Sequence, residues 1–305
     1  MRLYTHSACL EHDPGEGHPE SSARLRAVLE ALDDPRFATL DRIDAPRATR
    51  EQLEHAHDAD YIERIFASAP ADGHARLDPD TVMSPGSLQA ALRAAGAACA
   101  AVDAVLQGET THAFCAVRPP GHHATRNEAM GFCLFNNVAV AAAHALATHG
   151  LERVAIVDFD VHHGNGTQAI FWNEPRVFYA SSHQVPLYPG TGTANEHGCG
   201  NIANAPLPPD AGSDAFRAAW EEKLLPELDL FHPQLLLISA GFDADARDPL
   251  AQLQLVPDDY AWLTQRLVEL ADRHADGRIV SALEGGYDHD ALREGVAAHV
   301  VALMA

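Results

Sequence analysis

Short apolar runs that each break into a cluster of polar residues, just before a helical pattern resumes, constrain this chain more than any other feature. Residues 113–117, 154–157, 176–181, 235–239 and 278–283 are such runs, and residues 2–6 form a shorter one at the start. They are aliphatic or β-branched with little polar alternation, as in strands buried on both faces. Between them lie helical patterns. Leu25, Val28, Leu29 and Leu32 share one face, residues 49–69 fit two short helices broken near His57 and Asp58, and an alanine-rich helix begins near Pro85. Further helices end at Gly150, span 214–230 and 257–274, and close the chain. This alternation predicts an α/β fold with a central parallel sheet and helices on both faces. Every unusual polar cluster follows the carboxyl end of a strand, so His122, His123, residues 158–163, His183, Asp243 and Tyr287 should gather along one sheet edge, where open parallel sheets bind ligands.

The densest cluster is Asp158-Phe159-Asp160-Val161-His162-His163-Gly164-Asn165-Gly166-Thr167. Carboxylates and imidazoles packed so closely at the end of a buried strand carry a heavy desolvation cost unless a cation or a hydrogen-bond network compensates them. In an extended segment Asp160 and His162 point to the same side. With Asp243, which follows the most apolar strand, they make a three-ligand set that leaves a coordination position open, as in a catalytic zinc site. Iron or cobalt suits the same donors. A second cluster, Arg118-Pro119-Pro120-Gly121-His122-His123, aims paired imidazoles from a loop stiffened by proline. Such a pair fits general acid and base work on a metal-activated water and on a leaving amine. Asp158 and Asn165 are candidates to orient those imidazoles. Tyr287, after Gly285 and Gly286, is a candidate hydrogen-bond donor to an oxyanion.

Glu284-Gly285-Gly286-Tyr287, Gly241-Phe242-Asp243-Ala244, Gly131-Phe132-Cys133 and the two clusters above together resemble the histone deacetylase family along essentially the whole chain. Asn165 after His-His-Gly is similar to class II members and their bacterial amidohydrolase relatives. The resemblance implies an arginase/deacetylase-like fold as a single catalytic domain over residues 1–305, with a single Zn²⁺ on Asp160, His162 and Asp243. It implies His123 as general base and acid, His122 as its electrostatic partner, and Tyr287 as the group that polarises the carbonyl. Gly131, Phe132 and Tyr188 would line an acyl-lysine tunnel with Leu250 at its rim, and K⁺ would bind near Asp158, Asp160, His162 and Ser181. Family relatives act on acetylated proteins, small acetylated amines or acetylpolyamines. Leu250 stands where polyamine-selective relatives can carry an acidic gatekeeper.

Charge bears on the partner. Acidic residues number 43 against 21 basic ones, a formal charge of −22, and Lys223 is the sole lysine. Such a surface disfavours nucleic acid and anionic lipid, and favours cationic acetylated amines. The apolar run at residues 90–106 is interrupted by Arg93 and Asp103 and reads as a core helix, so no membrane span is expected; an oligomer stays open. Five cysteines without a CxxC pair suggest neither a disulfide framework nor a thiolate metal site, and with no leader-like segment the expected location is the cytoplasm. The loop at residues 11–20 reads as solvated surface, which leaves His12 and His18 unassigned, as is His183. Two other classes fit part of the pattern: a dinuclear ureohydrolase on the same fold, and a non-catalytic acyl-lysine binder. The Pro-Pro-Gly-His-His and Gly-Gly-Tyr elements argue against the first, and retention of the full catalytic set against the second.

Overall fold

The computed structural model describes residues 1–305. Its strands are β1 (Arg2–Thr5), β2 (Asp41–Asp44), β3 (Ala75–Arg76), β4 (Val82–Met83), β5 (His112–Cys115), β6 (Val154–Asp158), β7 (Val177–Gln184), β8 (Ile202–Leu207), β9 (Leu235–Ala240) and β10 (Ile279–Leu283). Eight of them form one sheet in the order β2-β1-β5-β10-β9-β6-β7-β8, with every pairing parallel. All residues of β6, β9 and β10 are buried, which is why these strands are predominantly apolar.

Helices cover both faces. The Tyr4 hydroxyl donates to the Ala100 carbonyl in helix Ser87–Leu106, whereas Phe114, in register with Leu3, packs edge-on against His299 of helix His289–Met304. Helix Ser87–Leu106 is apolar and long enough to cross a membrane, yet most of it is buried against the sheet and helix Asn137–His149. Between those two helices one oxygen of Asp103 accepts from His144 Nε2 at 2.8 Å and His149 Nε2 at 2.7 Å, a bracket that satisfies all three groups.

Three expectations need correction. The two outermost strands, β2 and β8, were not foreseen. Three of the four β2 residues are exposed and it reads Asp-Arg-Ile-Asp, while β8 contains Asn204 and Pro206. An edge strand needs apolar contact on fewer sides and tolerates proline, so its sequence lacks the signal of a central one. Strand β7 runs to Gln184, which places His183 inside the strand rather than beyond it. Finally, the helix expected over 214–230 contains a π-helical stretch, Trp220–Leu224, between Ser213–Ala219 and Leu225–Phe231.

Candidate active site

Because the main sheet is wholly parallel, the segments leaving β5, β6, β9 and β10 meet on one edge. Strand β6 ends at Asp158, and the chain then turns so that the His162 amide donates to Asp160 Oδ1 at 2.9 Å. A turn, not an extended strand, therefore brings the two side chains together. His162 Nδ1 lies 3.1 Å from Asp160 Oδ1 and 3.2 Å from Asp243 Oδ2. Asp243 Oδ1 accepts from the Val161 amide at 2.9 Å and Asp160 Oδ2 from the Gly285 amide at 2.8 Å. Asp243 Oδ2 is buried with no hydrogen-bond partner.

That orphaned oxygen decides how the cluster is read. Two buried carboxylates and an imidazole converge without a lysine or arginine among them, and an unpaired buried acceptor is costly. Burial opposes charge on His162, but the neighbouring carboxylates of Asp160 and Asp243 outweigh it and lift the imidazole to about 10. The pocket therefore demands positive charge, and its oxygen and nitrogen donors fit a divalent metal. Gly285 makes the approach possible: a Cβ there would lie 1.9 Å from Asp243 Oδ2.

The neighbouring histidines are made unlike by their partners. His122 and His123 stand 4.1 Å apart between ring centroids. His122 Nδ1 pairs with Asp158 Oδ2 at 3.0 Å, and Asp158 also accepts from the Tyr179 hydroxyl at 3.0 Å. Although burial disfavours a charged His122, the carboxylates of Asp160 and Asp158 raise it well above its ordinary value. His123 Nδ1 instead faces Asn165 Oδ1 at 2.8 Å. An amide oxygen only accepts, so Nδ1 carries the proton and Nε2 is left as the basic nitrogen. Burial, then the charges on His122 and His162, push His123 well below its ordinary value. The two imidazoles are thus driven in opposite directions, His122 toward the charged form and His123 toward the neutral one. Behind them Glu284, buried, accepts from the Gly121 amide at 2.6 Å, the His122 amide at 3.2 Å and Ser239 Oγ at 3.0 Å, which fixes the Pro-Pro-Gly loop.

A cavity of about 230 Å³ opens onto this cluster, lined by His123, Gly131, Phe132, His162, Tyr188, Leu250 and Tyr287 together with Asp80 and Leu187. All four residues expected to line a tunnel are among them. Tyr188 packs edge-on against His123 at 5.1 Å, and Phe132 against Tyr287 at 6.0 Å. Gly131 admits the wall this close, since a Cβ would meet His123 Cδ2 at 2.4 Å. Phe132 holds a left-handed φ of 69°, and its amide donates to Thr81 Oγ1 at 3.1 Å. Asp80 and Leu187 escaped the sequence reading.

The loop after β10 carries Tyr287 and rests on a buried ion cluster that sequence reasoning also missed. Arg24 Nε donates to the Gly286 carbonyl at 2.6 Å and Nη2 to the Glu284 carbonyl at 2.5 Å, and the guanidinium carbon lies 4.8 Å from the Tyr287 ring centre. Glu20 bridges Arg24, Arg118 and His12 at 3.1, 2.5 and 3.2 Å, all with side chains essentially excluded from solvent. The loop expected to be solvated surface thus contributes its last residue to the interior, because Arg118 and Arg24 need an anion there. A signal existed: Arg24 is in register with Val28 and Leu32 on the buried stripe of helix Ser22–Leu32. His18 packs edge-on against Phe132 at 4.7 Å and its Nε2 reaches the Asp80 carbonyl at 3.1 Å, so it braces the cavity wall. His183 lies outside the cavity, bonded through Nδ1 to Ser181 Oγ at 2.9 Å and through Nε2 to the Gly192 carbonyl at 2.8 Å. With Ser181 so engaged, the geometry adds no support for potassium.

A model of the histone deacetylase domain matches residues 18–303. The chain is 45% identical over 274 residues to the histone deacetylase-like amidohydrolase of Pseudomonas aeruginosa, covering 88% of this chain and 71% of that one. It is 39% identical over 289 residues to a probable deacetylase of Archaeoglobus fulgidus, covering 92% and 80% respectively. The crystal structure of the HDA15 HD domain superposes with a TM-score of 0.94 at 33% identity, across 100% of this chain and 91% of that one.

Proposed function

The chain belongs to the histone deacetylase family, and from that premise we propose that it is a zinc-dependent amidohydrolase that removes acetyl groups from N-acetylated amines, with acetyl-lysine-type side chains as its substrates. The observation that carries this reading is the pair of imidazoles beside the Asp160, His162 and Asp243 cluster, one bonded through Nδ1 to a carboxylate and the other through Nδ1 to an amide oxygen. Those three residues would hold zinc, which when bound acidifies a water molecule and draws electron density from the substrate carbonyl.

The chain's own groups do the rest. His123, neutral with its free Nε2, accepts the proton of the attacking water and returns it to the leaving amine. His122, paired to Asp158, keeps a positive charge next to the developing negative one. Tyr287 donates a hydrogen bond to the carbonyl oxygen, which strengthens as that oxygen gains charge. Phe132 and Tyr188 enclose an alkyl chain between the mouth and the imidazoles. Water is thereby kept from that stem, and the electrostatic groups act at low dielectric.

Asp80 favours a second reading of the substrate. Leu250 offers no charge at the rim, but Asp80 is among the residues that line the cavity, and a carboxylate there suits a second cationic nitrogen such as that of an acetylpolyamine. Burial and the neighbouring Asp78 raise its protonation range, which weakens the effect. A panel of acetyl-lysine peptides, acetylputrescine, acetylspermidine and longer acyl-lysines, ranked by kcat/KM, tests both readings. Peptides ahead of polyamines support the first, the reverse order the second, and no turnover of any member removes the hydrolase reading.

A further inference from the structure

We propose that Asp248 is the positioning residue for the Tyr287 phenol, a role that rests on the hydrolase reading above and adds a residue to its machinery. Asp248 lies in the loop that leaves the metal ligand Asp243, and it is 6% exposed. Its carboxylate binds no arginine: the adjacent Arg247 pairs with Asp245 and Glu294 instead. All its partners are peptide N–H groups. Oδ2 accepts from the Tyr287 amide at 2.7 Å and the Asp288 amide at 3.3 Å, and Oδ1 accepts from the Leu250 amide at 3.0 Å.

This arrangement holds the tyrosine loop between two side chains, one donating and one accepting. Arg24 takes the carbonyls of Glu284 and Gly286 from one side, and Asp248 takes the amides of Tyr287 and Asp288 from the other. Such a loop needs the restraint, because two consecutive glycines, Gly285 and Gly286, give its backbone more freedom than any other pair would. Residue type matters as well. Burying a carboxylate is expensive, and an asparagine would be cheaper, but an amide side chain has one acceptor oxygen where a carboxylate has two. Only the carboxylate serves Leu250 on one oxygen and Tyr287 on the other. The rim of the tunnel and the donor at its floor are consequently fixed by one side chain.

A misplacement of about 1 Å in a catalytic group can cost on the order of 100-fold in rate. Asp248→Asn, nearly isosteric, should therefore lower kcat by about 10- to 100-fold with KM and zinc content near those of the wild type, and Asp248→Ala should do at least as much. The decisive comparison is made in a Tyr287→Phe background. If Asp248 acts through the phenol, adding Asp248→Asn to Tyr287→Phe costs little more; if it acts independently, the two losses multiply and the inference fails. Hydrogen exchange of the peptide spanning residues 284–288 supplies a readout free of turnover, and it should accelerate in both Asp248 variants while the strands keep their protection. Unchanged exchange overturns the proposal, as do normal turnover or failure of both variants to fold, the last making Asp248 a requirement of the fold. A wild-type protein that hydrolyses no acetylated amine sinks the hydrolase reading instead, and the exchange result still decides whether Asp248 holds Tyr287.

Discussion

Gly285→Ala should disable the metal site while sparing the fold. The alanine Cβ would lie 1.9 Å from Asp243 Oδ2 and 2.6 Å from Asp160 Oδ2, where real Cβ atoms keep at least 3.0 Å. Asp243 Oδ2 must then retreat by about 1.1 Å, or the loop must, and ligand distances in a metal site tolerate only about ±0.2 Å. Even residues that merely orient ligands cost about 10- to 100-fold in metal affinity when altered, so displacing a ligand should cost at least about 100-fold. Gly285 does not have a left-handed φ, so the effect comes from the added methyl rather than from left-handed backbone strain. Competition with a chromophoric chelator measures zinc affinity, turnover of an acetyl-lysine peptide measures the consequence, and thermal melting reports the fold. A variant that folds, binds zinc as tightly as the wild type and turns over normally would refute the placement of Asp243 and Asp160 as ligands.

Tyr287→Phe keeps the ring and deletes the donor; kcat should fall by roughly 10²- to 10³-fold with zinc content unchanged, and steady-state kinetics beside metal analysis checks this. Because His123 sits well below its ordinary value, the acid limb of kcat/KM should lie below pH 6.5. Asn165→Asp puts a negative charge on His123 Nδ1 and favours the imidazolium, which cannot act as a base, so the same limb should move up by roughly 1 to 3 pH units; pH–rate profiles of both proteins decide it. Asp80→Asn should raise KM for acetylspermidine more than for a neutral acetyl-lysine substrate, and equal changes would place Asp80 outside substrate recognition.

What the sequence disclosed about this molecule follows burial. Strands β6, β9 and β10 are sealed on both faces, so their residues are mostly apolar and the pattern was unmistakable, whereas at the two edges β2 is polar and exposed and β8 is interrupted by Asn204 and Pro206. The candidate site residues were legible for a different reason: Asp160, His162, Asp243 and the histidine pair form polar clusters just past the ends of apolar strands, where a parallel sheet binds ligands. Residues that act across long sequence separations were not. Glu20 meets Arg118 only because the fold closes, and Asp80 reaches the cavity only because the chain flanking it is held by the β3–β4 pair and by His18. Asp160 and His162 were paired correctly on a mistaken geometry, since a turn hydrogen bond rather than strand alternation unites them.

Removing metal by chelation and adding zinc back, while hydrolysis of an acetyl-lysine peptide and bound zinc are recorded together, tests the central claim most directly. Activity should vanish on chelation, rise in proportion to zinc and level off at a single zinc per chain, with Asp243→Ala neither binding the metal nor recovering. Turnover that survives complete removal of metal, or that requires two metal ions per chain, would contradict the account.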